Sequence, residues 1–355
     1  MGEILGLGMT HYPPLAGRDE NMSGILRGTL RDSAISAEAK NPANWPPLMQ
    51  QEWGTDHGKT AAAQHRKVLV SGLEKIRSAI DEFRPDFVLI WGDDQYENFT
   101  EDIIPPFCIL AYERIEAQPW RLKAPGMPGG ANVWAEKEDH VTKIRGHKEG
   151  AKFLVSRLIT EGFDVCYAYR PLHIEGVGHA FLNSVAYLDY HRQGWDHALV
   201  CFSINCYGRR VIAFRGGASK FGDTPGPEKL DPPSPSPARC FDLGAAAARV
   251  LTGSPYRVAL IASSSWSHAF LHDKALRLYP DIESDRALYS ALQSGEYSLW
   301  RNTSLASVEA SGQQEMLNWF CLAGAMAELK RKPSWTTFIE SDVFNSNKCF
   351  AIFPP

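Results

Sequence analysis

The strongest constraint on this chain is an unbroken apolar run, Phe87-Val88-Leu89-Ile90-Trp91, that stops abruptly at Gly92-Asp93-Asp94-Gln95. A short apolar run without alternation marks a strand buried on both faces, the situation of a parallel sheet covered by helices. Runs of the same kind recur at 3–9, 164–169, 198–204 and 257–262. Between them lie helix-period patterns at 60–83, 146–161, 243–251, 283–293 and 311–329, the first with Val68, Val70, Leu73, Ile76 and Ile80 along its apolar face. Strands alternating with helices predict an α/β fold, with a mainly parallel central sheet flanked by helices. In such a fold, ligands bind beyond the carboxyl ends of the strands.

Two stretches do not fit the alternation. Residues 16–58 are rich in Pro, Asn and Trp and are read as an inserted cover over the mouth of a site. Residues 207–238 are read as a long loop, and their Pro-rich part, 224–238, could equally join two domains. The net charge of −4 offers no basic field, so neither nucleic acid nor an anionic membrane is expected as a partner. No apolar run reaches the roughly 18 residues of a membrane span, and the first residues lack the pattern of a secretion signal, which predicts a cytoplasmic protein. The 7 Cys contain no C-x-x-C pair and are expected to be buried free thiols.

Polar residues cluster at the predicted strand ends: His11 after the first, Asp93, Asp94 and Gln95 after the second, and His173, Glu175 and His179 after the third. Ser263 to Ser267 with His268 follow a later one. Two imidazoles and a carboxylate on one face of a metal leave positions open for substrate and oxygen, the arrangement of non-haem Fe(II) oxygenases. A further His near the open face moves protons, because its pKa lies near neutrality. Each residue also has an ordinary use. A lone His at a strand end is commonly a hydrogen-bonded structural residue, and Asp93-Asp94 suits a helix cap.

Specific strings sharpen the choice. Gly8-Met9-Thr10-His11-Tyr12-Pro13-Pro14-Leu15, then Trp91-Gly92-Asp93-Asp94-Gln95 with Phe99 and Ile103-Ile104-Pro105-Pro106-Phe107, resemble the start of the class III extradiol ring-cleaving dioxygenases. Gly146-His147, Gly178-His179, Ala238-Arg239-Cys240-Phe241-Asp242-Leu243-Gly244, Trp266-Ser267-His268, and Ser311-Gly312 leading to Glu315-Met316-Leu317-Asn318-Trp319 follow in the family's order. The family is that of the protocatechuate 4,5-dioxygenase β-subunit, and within it the chain is most similar to 3-O-methylgallate dioxygenases. Because the likeness runs through the Pro-rich stretch, it implies one catalytic domain over 1–355.

The resemblance implies Fe(II) as cofactor and extradiol opening of a catechol-type, gallate-type or 2-aminophenol-type ring with O2. It places the first iron ligand on His11 and the carboxylate ligand on Glu283. His179 becomes the general acid/base and His147 a second substrate-facing imidazole, with His268, Asp94 and Tyr12 as substrate contacts. The expected partners are a small aromatic substrate and O2, with the chain a homo-oligomer such as a dimer. One departure stands out: where the family has its second iron-binding His, this chain has Gln95 beside Asp94. Either of these binds, or an imidazole arrives from elsewhere, His65 being favoured over His57 because it opens the helix before the second strand. A zinc-dependent hydrolase on the same residues and a non-catalytic binding protein of the same fold are the alternatives.

Overall fold

The computed structural model describes residues 2–121, 132–209, 214–216, 221–222 and 226–355. Its strands are β1 (Glu3–Met9), β2 (Phe87–Asp93), β3 (Phe107–Leu110), β4 (Arg114–Ala117), β5 (Thr142–Arg145), β6 (Cys166–Ala168), β7 (Leu199–Ile204), β8 (Arg257–Ser263), β9 (Trp335–Ile339) and β10 (Lys348–Phe353). The large sheet has the order β6-β3-β7-β2-β8-β1-β10-β9, and β4 pairs with β5 apart from it. The central strands β7, β2, β8 and β1 run parallel, whereas β3 and β10 pair antiparallel to their inner neighbours. This is the expected mainly parallel sheet. The first and last long strands, β1 and β10, are hydrogen-bonded neighbours near one side of it.

Helices cover both faces. On one side, Lys59–Phe83 and His179–Leu188 contribute to an apolar cluster with the inward residues of β1, β2 and β8. On the other, Lys148–Thr160, Pro237–Thr252 and Leu317–Glu328 form a second cluster with the opposite faces of the same strands. Lys59–Phe83 buries Leu69, Leu73, Ile76 and Ile80 at spacings of three and four residues, each such side chain contributing roughly 1.5–3 kcal/mol. Leu317–Glu328 is buried nearly all round because Pro237–Thr252 lies directly across it. That crossing demands glycine: a Cβ on Gly244 would stand 1.8 Å from the Cys321 carbonyl oxygen.

Several boundaries differ from expectation. Pro237–Thr252 starts six residues before 243, because Ser236 caps Arg239 N and Pro237 suits the first helical turn. β2 runs two residues beyond its apolar run, pairing Gly92 with Ser203 and Asp93 with Ile204. The stretch 16–58 forms short helices, Gly24–Thr29, Ala37–Lys40 and Pro47–Trp53, whose Leu26, Met49 and Trp53 pack into the cluster beside Lys59–Phe83. Of the loop 207–238, residues 210–213, 217–220 and 223–225 lie outside the described residues. The cysteines are free, as expected, and all are buried except the half-buried Cys166. Among the described residues, no helix is long and apolar enough to cross a membrane.

Candidate metal centre

β1, β2 and β8 end side by side, which brings their terminal residues and following loops together at the carboxyl edge. His11, two residues past β1, is buried, and its Nδ1 lies 3.0 Å from the Ser263 carbonyl oxygen. A carbonyl only accepts, so Nδ1 carries the proton and Nε2 keeps its lone pair. The loop is fixed from several sides: Tyr12 N donates to Thr10 Oγ1, Tyr187 OH donates to the Tyr12 carbonyl, and Asn183 Nδ2 donates to that of His11. His11 Nε2 then faces two carboxylates, Asp93 Oδ1 at 3.5 Å and Glu315 Oε2 at 3.8 Å.

His179 opens the helix His179–Leu188 against the ring of His11, the two centroids 5.2 Å apart and nearly perpendicular. Glu97 holds it there. That carboxylate accepts from the His179 backbone N–H and, at 2.8 Å, from Nδ1, while Asn98 Oδ1 accepts from Gly178 N. An acidic group at a helix N-terminus is favourable in its own right. Gly92 makes the approach possible, since a Cβ there would stand 2.9 Å from the Phe181 ring. Ligand atoms of His11, Asp93 and His179 come within 4.8 Å of one another, the one such group of three found among the described residues.

Electrostatics divides these residues. Burial, reinforced by His179 and His268, pushes His11 well below the usual histidine range, leaving a neutral imidazole. Burial opposes a charge on His179 too, yet Glu97, with Asp93 and Glu315, overrides it and lifts the ring to about 10. Burial raises Asp93 to about 6, against the pull of His179. Burial and repulsion from Asp93 raise Glu315 well above the carboxylate range. Asp93 Oδ2 is buried without a hydrogen-bond partner. Two crowded carboxylates, an orphaned oxygen and a neutral imidazole with a free lone pair are a donor set that suits a divalent cation. Tyr207 OH donates to Glu315, and His268 Nε2 lies 3.3 Å from its Oε1, so Glu315 is oriented on its far side.

Not every residue singled out in the sequence reaches this cluster. His268 does, as a neutral ring held at about 3 by burial and by the charge of Lys348. Tyr12 follows His11 with its ring beneath Lys348 Nζ at 3.9 Å and its buried OH unpartnered. Asp94 is occupied locally, where its carboxylate accepts from the backbone N–H groups of Glu97, Asn98 and Phe99 and so builds the turn that presents Glu97. Gln95 turns away and donates to the Gly216 carbonyl. His65 is buried between Phe344 and Tyr12, ring centroids 4.8 and 6.2 Å away, outside the group of three. His57 lies against Trp53.

Glu283 is exposed on the first turn of the helix Ile282–Ser294. Its buried neighbour Asp285 instead accepts from Ser267 N, Gln313 and Asn347. His147 stands at the opposite edge of the sheet, where its N–H meets the Leu199 carbonyl at the start of β7 and its Nδ1 caps Lys148–Thr160 by accepting from Gly150 N. At ~3.3 Å per strand residue, the two edges are roughly 20 Å apart.

Sequence reasoning assigns no ligand or catalytic role to Asp93, Glu315 or Glu97. Asp93 adjoins the two residues weighed as ligands, and Glu315 stands inside one of the strings that carry the resemblance. Glu97 gives no signal, because its partner is 82 positions away.

Residues 230–351, about a third of the chain, match the family described as the catalytic LigB subunit of aromatic ring-opening dioxygenase. No curated protein matches the chain. The matched segment includes β8, His268 and Glu315, so the likeness falls on one wall of the cluster, and it supports a place for the chain in the class III extradiol dioxygenase superfamily.

Proposed function

We propose that this protein is a non-haem Fe(II) dioxygenase that opens a catechol-type aromatic ring with O2 in the extradiol manner, its catalytic domain spanning 1–355 with residues 16–58 as cover. The observation that carries the reading is the convergence of His11, Asp93 and His179, with Glu315 alongside, at the carboxyl edge of a parallel sheet. His11, Asp93 and Glu315 are the residues that would hold Fe(II). When bound, the iron supplies the redox chemistry by which O2 and an aromatic diol react, and acidifies hydroxyls that coordinate it.

His179 moves the protons. Glu97 fixes its Nδ1–H and leaves Nε2 for the site. Asp93 and Glu315 are among the charges that lift the ring, so a dication held by those two carboxylates would lower it again and let Nε2 exchange a proton with a substrate hydroxyl. Asn183 and Ser263 keep His11 aimed while this happens, and His268 holds Glu315 without bringing a charge of its own. Tyr12, buried next to His11, lends the surroundings apolar surface that excludes water.

Anaerobic reconstitution with Fe(II), followed by oxygen uptake against catechols, gallates and 2-aminophenols, tests the proposal. The expected result is uptake with at least one of these rings and a ring-opened product. Stoichiometric iron with no uptake on any of them would overturn it.

A further inference from the structure

β2 and the loop after it carry no histidine, and a carboxylate stands beside His11 where the second iron-binding imidazole is expected. The cluster's other imidazole, His179, is held by Glu97 through Nδ1. β2 extends through Asp93, whose Oδ1 lies 3.5 Å from His11 Nε2 and whose Oδ2 is buried without a partner. The neighbouring side chains are engaged elsewhere: Asp94 in its turn, Gln95 with Gly216, His65 against Phe344. We propose that Asp93 replaces the second imidazole as a metal ligand, giving a one-imidazole, two-carboxylate centre that shifts selectivity away from Zn(II) and toward Mn(II). This rests on the reading of the cluster as a metal centre, and not on any activity.

The chemistry is direct. Imidazole suits Zn(II), Cu(II) and Fe(II), whereas carboxylate oxygen suits Mn(II) and other hard cations. Exchanging one imidazole for a carboxylate also cancels the dication: Asp93 and Glu315 together balance its charge, where two imidazoles and one carboxylate would leave one positive charge. Asn318 Nδ2, 3.5 Å from Asp93 Oδ1 and 3.3 Å from the Ser263 carbonyl, fills the space beside the carboxylate and ties it to the residue that orients His11.

The test is competitive binding of Mn(II), Fe(II) and Zn(II) to the metal-free full-length protein under anaerobic conditions. Asp93→Asn keeps the shape and removes the charge; it should weaken Mn(II) and Fe(II) binding at least tenfold. Asp93→His should raise the Zn(II)-to-Mn(II) affinity ratio at least tenfold over wild type, with the melting temperature of the metal-free variant read alongside to show that it folds. Gln95→Ala should leave every affinity unchanged. Wild-type affinities in Asp93→Asn, an unchanged ratio in a folded Asp93→His, or loss of binding in Gln95→Ala would each overturn the assignment. Metal binding that follows these expectations without ring opening leaves this inference standing and removes only the proposed reaction.

Discussion

The two edges of one sheet hold histidines of opposite character. At the amino edge, His147 is half-buried and satisfied: it caps a helix through Nδ1 and rests on Phe87 and Tyr256. Around it, Arg257 N donates to Asp86, and the Arg257 guanidinium pairs with Glu3 and covers Phe83. At the carboxyl edge, His11 and His179 are buried among carboxylates, and polar atoms are left over, including Asp93 Oδ2, His268 Nδ1 and Tyr12 OH. A buried polar atom without a partner costs about 1–3 kcal/mol. His147 is used as a helix cap, whereas unpaired donors and acceptors surround His11 and His179, and that difference is why a metal-site role is proposed for those two and not for His147.

That contrast predicts a graded set of outcomes. His179→Ala should slow ring opening ~10²–10⁴-fold while iron stays bound; a rate like that of wild type would remove His179 from proton transfer. Fe(II) at about 100 times its Kd should stabilise the wild type by ~2.7 kcal/mol in thermal or denaturant unfolding, and His11→Ala should show no such gain. Gly92→Ala forces a Cβ toward the Phe181 ring and should cost ~1–3 kcal/mol, displacing the helix that begins at His179. His147→Ala should cost only ~1 kcal/mol, the value of a lost cap, with turnover unchanged. The smallest effect is expected of Glu283→Ala, within ~0.5 kcal/mol in stability and without change in iron content, since that side chain is exposed.

The central sheet was legible because Phe87 to Trp91 and its counterparts are apolar without interruption, and burial on both faces writes itself into such runs. β3, only four residues long, and β10, on the antiparallel flank, were not. His11 was legible because it directly follows a strand of the central sheet. The carboxylates proposed as metal ligands were not, and for Asp93 the reason is register. Extension of β2 by two residues turned Asp93, rather than Asp94 or Gln95, toward His11, and sequence alone sets strand ends poorly. Glu283 and Glu315 both sit near the start of a helical pattern, and only the packing of Leu317–Glu328 against the sheet puts Glu315 beside His11. His147 shared the Gly-His pairing of His179 yet belongs to the other edge, a distinction that depends on which end of a strand the chain has reached.

The central claim is that the metal lies at the carboxyl edge, and the most direct measurement is the equilibrium stoichiometry of Fe(II) bound by wild type, His11→Ala and His147→Ala under anaerobic conditions. One iron per chain in wild type and His147→Ala, with none in His11→Ala, is the predicted result. Iron retained by His11→Ala, or lost from His147→Ala, would contradict it.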